Sequence, residues 1–137
     1  MDAAFANDGG QRASHMVTSN SYLAKVVREH NQISSNKQVW LGASVHPFRK
    51  DAIERLEEAV HLGAVLNKWI PSSQQIDLRR PEVSRFGARL AELRLPLLCH
   101  CGWEGAIPVA HEDWRTFEDP ATLSGLLDQG VKVIVAH

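Results

Sequence analysis

An α/β fold built on a parallel sheet is what this sequence predicts, and three observations carry the prediction. Four short apolar stretches, QVWLGASVHP, GAVLNKWIP, LPLLCHCG and VKVIVAH, alternate with segments of helical periodicity. The runs LPLLCHC and VKVIVAH are apolar at nearly every position, as expected of strands covered by helices or closed into a barrel. Each of the four ends on a residue able to do chemistry: His46, Lys68, His100 and His137. In a sheet of repeated strand–helix units these ends share one face, where ligands and catalytic groups gather.

The elements follow in order. Ala3 to Ala6 is short and apolar and is broken by Asn7-Asp8-Gly9-Gly10, after which residues 7–19 read as a polar loop. Ser21 to His30 reads as a helix, with Ser19 or Asn20 as its cap and Tyr22, Leu23, Val26 and Val27 on one face. The strand Gln38–Val45 stops at His46-Pro47, because Pro47 has no backbone donor. Lys50–Leu62 is the clearest helix. Ile53, Leu56 and Val60 fall at helical spacing, Asp51 and Glu54 favour its start, and Gly63 closes it.

The strand Ala64–Ile70 ends at Pro71-Ser72-Ser73. Pro81 then opens a helix whose Val83, Phe86, Leu90 and Leu93 repeat at three and four residues. Strand Leu95–Cys101 follows, then a stretch without a firm period, Gly102–Glu118. Asp119-Pro120 supplies a cap and a first-turn proline to a helix with Leu123, Leu126 and Leu127 as its face. Gly130 ends it, and Val131–Ala136 is the last strand.

At 137 residues the chain amounts to one domain, residues 1–137, able to bury roughly two-thirds of its unfolded surface. A net charge of −1 gives no electrostatic reason to expect nucleic acid or an anionic membrane as partner. No apolar run approaches the ~20 residues of a membrane span, and MDAAFANDGG has no signal-peptide pattern. Cys99 and Cys101 sit two apart in a strand, a poor geometry for a bridge, so a reducing, cytoplasmic setting fits.

His100 and His137 share a setting: both follow an apolar strand, one strand–helix unit apart. Imidazoles at the tips of consecutive parallel strands can converge on one ion or one water, so both are candidate metal ligands. A histidine beside such a water can also take its proton, which makes His137 a candidate catalytic residue. Lys68 ends an apolar strand, where an ammonium needs a carboxylate, a substrate anion or a bridging group; the alternative is an amine that reaches water. His46 reads as shaping the turn before Pro47, with a functional role as the alternative. Trp69, Gln74, Trp103 and Glu104 are candidates to line a substrate pocket, with packing as the alternative. Both thiols should face away from His100 and be buried and inert. No phosphate-cradling glycine loop or nucleophile elbow is present.

Taken in order, GASVHPFRKDAIERLEEAVHLGAVLNKWIPSSQQID, LPLLCHCGWE and LLDQGVKVIVAH resemble the amidohydrolase-related family, the aminocarboxymuconate-semialdehyde decarboxylase-like branch of the amidohydrolase superfamily. The resemblance implies a (β/α)8 TIM barrel with a divalent metal, commonly zinc, at its C-terminal face. It implies a metal-dependent hydrolase of C–N or C–O bonds, or a decarboxylase, acting on a small molecule. His100 would then match the strand-five metal ligand and His137 the strand-six histidine. Lys68 would stand at the end of strand four, where some members carry a bridging lysine. The family's strand-one His-x-His pair and strand-eight acidic residue have no counterpart here, so the chain reads as strands two to six of a barrel. Such a partial barrel leaves sheet edges exposed. The alternative expectation is accordingly a non-catalytic α/β module that persists as a homo-oligomer or an interaction domain.

Overall fold

The computed structural model describes residues 18–34, 36, 38–102 and 112–137. The apolar stretch Ala3–Ala6, together with Trp103 and Glu104, lies outside the described residues. The elements run α1 (Asn20–Ile33), β1 (Leu41–Ala43), α2 (Ala52–His61), β2 (Ala64–Trp69), α3 (Pro71–Gln74), α4 (Pro81–Glu92) and β3 (Leu97–His100). Two 3-10 turns, Glu112–Glu118 and Pro120–Leu123, lead to α5 (Ser124–Asp128) and β4 (Val133–Ala136). The four strands form one parallel sheet in the order β1-β2-β3-β4, so the fold is α/β as predicted.

The local signals act as their chemistry suggests. Ser19 caps α1 by accepting from the Tyr22 N–H at 3.2 Å. Asp119 accepts from the Ala121 N–H at 2.9 Å ahead of Pro120. Gly63 and Gly130 follow their helices at φ 93° and 80°, a conformation an L side chain adopts only with strain. Gly87 serves a different need. A Cβ there would collide with Leu126 Cδ2 and Gln129 Oε1, so glycine permits the close approach of α4 to the segment around α5.

One core results. Leu56 of α2, Phe86 and Leu90 of α4 and Leu126 of α5 pack with Ala43, Val45, Trp69, Leu97 and Cys99 from the sheet. On the opposite face Leu66, Lys68 and Leu98 are only half-buried, and Ile134 is 48% exposed. The strands do not reverse order, so successive strand–helix units carry their helices to the same side. A doubly wound sheet would need such a reversal and helices on both faces.

Several expectations change. The β1 ladder is three residues long rather than the eight of Gln38–Val45, because side-chain amides replace strand partners on either side of it. Asn31 donates to the Val39 carbonyl and accepts its N–H, both at 3.0 Å. Asn20 treats Ser44 in the same way at 3.1 Å. In α1 only Ala24 is buried, while Tyr22 and Val26 are exposed. Leu127, expected on the core face of its helix, is exposed; Leu123 and Leu126 do the packing. No helix among the described residues is long and apolar enough to cross a membrane.

Candidate functional site

The tips of β2, β3 and β4 carry the site. Strands β3 and β4 pair with His100 opposite Ala136, so His137 emerges one residue past the pair. The two imidazoles meet with ring centroids 4.6 Å apart at 44°. His100 is buried and His137 is exposed, which makes a two-ring platform with one wet side. Lys68 lies opposite Leu98 on the neighbouring strand. It therefore shares the His100 face, about 7 Å back along the strand direction. Lys68 is half-buried, and its carbonyl accepts a 2.9 Å bond from the Ser44 hydroxyl.

His46 is placed otherwise. It is fully buried, and its Nδ1 accepts the Phe48 N–H at 3.2 Å. That bond assigns the proton to Nε2, which donates to the Gln74 carbonyl at 2.7 Å. Gln74 in turn accepts the Ile70 N–H at 2.7 Å. This agrees with reading His46 as a residue that shapes the chain leaving β1, here by tying it to α3.

Trp69, a candidate for the pocket or for packing, packs in the core. It is fully buried, its ring lies 5.2 Å from that of Phe86, and its Nε1 donates to the Val45 carbonyl at 2.7 Å. The reason is strand geometry: adjacent residues point to opposite faces, so Lys68 and Trp69 cannot share a pocket. The same alternation turns Cys99 toward the helices, away from His100. Burial pushes both the Cys99 and Cys101 thiols above the ordinary value, and both stand as free thiols in the interior. A buried, protonated thiol is neither nucleophile nor ligand. His61 is exposed on the end of α2, with its Nδ1 2.8 Å from the Glu57 carbonyl.

The sequence reading missed Glu118. Its carboxylate is buried and accepts a hydrogen bond from the Ser72 hydroxyl, which is itself buried. Its carbonyl accepts the Gly102 N–H at 2.9 Å, and Gly102 turns at φ 87° just past the β3 tip. Glu118 thus bridges the segment after β2 to the segment after β3. Lys68 at the end of β2 and Glu118 beside Gly102 past the β3 tip therefore belong to the same end of the sheet. No motif signals Glu118. A carboxylate in an aperiodic segment otherwise reads as solvated.

No family model matches this chain, and neither the curated proteins nor the solved structures give a match.

Proposed function

We propose that this chain carries part of a metal-assisted site of the amidohydrolase type, for hydrolysis of a C–N or C–O bond or for decarboxylation of a small molecule. The observation that carries the reading is the His100–His137 ring pair at the tips of adjacent parallel strands. Helices on one sheet face and an unreversed strand order support a segment of (β/α) barrel wall.

The donor set is consistent with zinc but is short of a full shell. Two imidazole nitrogens suit that ion, whereas catalytic zinc sites use three protein ligands. Among the described residues no group of three His, Cys, Asp or Glu side chains forms a metal site. A divalent ion held by His100 and His137 would supply a water acidified to a pKa near 7.

The chain's own residues have separable tasks. His137, exposed, is the outer donor, at the rim where a substrate group reaches the site. Lys68 offers an ammonium to a substrate carboxylate on the same face. His100 is the inner donor, held in place by burial.

The second reading is a non-catalytic α/β module, which the open face of the sheet favours, with Ile134 at the surface. Calorimetric zinc titration separates the two. The site reading expects one weak zinc per chain, lost in both His100→Gln and His137→Gln, and well under one zinc per chain after dialysis. Equal binding by wild type and both variants, or none by any of them, leaves the module reading. Tight one-to-one retention after dialysis would contradict a two-donor site.

A further inference from the structure

Helices α2 and α4 both pack on the core, and Arg89 of α4 ties them together by a 2.7 Å ion pair with Glu57 of α2. Near their first turns lies a cavity of about 150 Å³. Phe48, Arg49 and Lys50 line it from the segment that enters α2, and Glu82, Arg85 and the buried Phe86 line it from α4.

The ion pairs around the cavity decide which charge is left over. Arg49, whose side chain is only 10% exposed, holds Asp51 through Nε at 2.9 Å and Nη2 at 3.3 Å. Arg80 lies over the Phe48 ring, 4.4 Å from its centre, and holds Glu82 through Nε and Nη2 in the same two-point way. Each carboxylate beside the cavity therefore has an arginine of its own. Glu54, the first acid within α2, does not line it. Lys50 and Arg85 line the cavity and make no ion pair among the described residues. They come from different elements and both are exposed, so one ligand can reach both.

We propose that this cavity is an anion site for a phosphate group, held between Lys50 and Arg85 beside the Phe48 ring. Two uncompensated cations suit a dianion. A phosphate monoester carries close to two negative charges at neutral pH, whereas a carboxylate brings one. Arg85 offers a planar fork to two phosphate oxygens, and Lys50 a compact point charge. The volume admits a group of this size with part of its hydration. The site stands independently of the metal reading.

Calorimetric titration of the protein with inorganic phosphate at low salt tests this. One site per chain is expected, at about 1 mM. Lys50→Ala and Arg85→Ala should each weaken it about tenfold, with unchanged circular dichroism. Glu82→Gln, which removes the acid lining the cavity, should tighten it. Arg28→Ala, which removes an exposed cation from α1, should leave it unchanged. Glycerol phosphate separates two sources of the group. Tighter binding than inorganic phosphate assigns the site to a phosphorylated small molecule, and equal or weaker binding assigns it to the free ion; either supports the site. No phosphate binding, acetate binding as tightly as phosphate, full binding by Lys50→Ala and Arg85→Ala, or an equal loss in Arg28→Ala would each overturn the proposal.

Discussion

His46 and the His100–His137 pair occupy the same end of the same sheet, yet the molecule uses them in opposite ways. His46 is fully buried with both ring nitrogens bound to backbone groups, Phe48 N–H on one side and Gln74 C=O on the other. Around it Ser44, Trp69, Gln74 and Asn20 close a network that joins β1, β2, α1 and α3. At the other end of the strand row, His137 is exposed and lies against the buried His100. One region uses an imidazole as a strut. The other leaves a ring at the surface beside a second ring, which is what ligand chemistry needs.

The largest expected effect tests that contrast directly. His46→Ala removes a buried ring and leaves the Phe48 N–H and the Gln74 carbonyl without this partner, at a cost of about 2–4 kcal/mol. His137→Ala, at an exposed strand tip, should stay within about 0.5 kcal/mol of wild type. Urea denaturation of both variants checks the pair, and equal costs would erase the distinction.

Glu118→Ala should follow at about 1–3 kcal/mol, because the buried Ser72 hydroxyl loses its acceptor. Glu118→Gln, which keeps an acceptor oxygen, should recover most of that loss. Asn20→Ala comes next, at about 1–2 kcal/mol, since the Ser44 N–H and C=O both lose a partner. Faster amide hydrogen exchange at Ser44 in that variant would confirm that the amide seals the β1 edge.

The smallest effect is in pH. The Arg49 hydrogen bond, with Arg55 adding to it, holds the Asp51 carboxyl at about 2, below its usual 3.8. A depressed carboxylate contributes stability above its unfolded pKa and loses it as pH falls through the folded one. Wild type should thus lose a small increment between about pH 4 and pH 2 that Asp51→Asn does not lose. Asp51 is part-exposed, so solvent screening keeps the increment small. Thermal melts across that window provide the measurement.

Much of the fold was legible because its punctuation is chemical. Pro81 and Pro120 open helical segments, Gly63 and Gly130 close them, and the short apolar runs between them are strands. The length of β1 was not legible. Its flanks satisfy their backbone groups with Asn20, Asn31 and Asn67 side chains, long-range partners that no local pattern announces. The four-residue helix α3 was read only as a strand stop, although its Pro71 start and Gln75 at φ 57° delimit it.

Within the site, the facing of His100 and Lys68 followed from strand alternation. The same rule, applied one residue further, would have sent Trp69 to the core. Glu118 was invisible because its burial comes from Ser72, 46 residues earlier in the chain.

The most direct measurement is a zinc titration followed by NMR of the histidine ring carbons, with each ring assigned by His→Gln substitution. The account predicts that His100 and His137 respond together, with one shared affinity, while His46 keeps its resonance. A response in His46, or a response confined to the exposed His61 and His137, would contradict it.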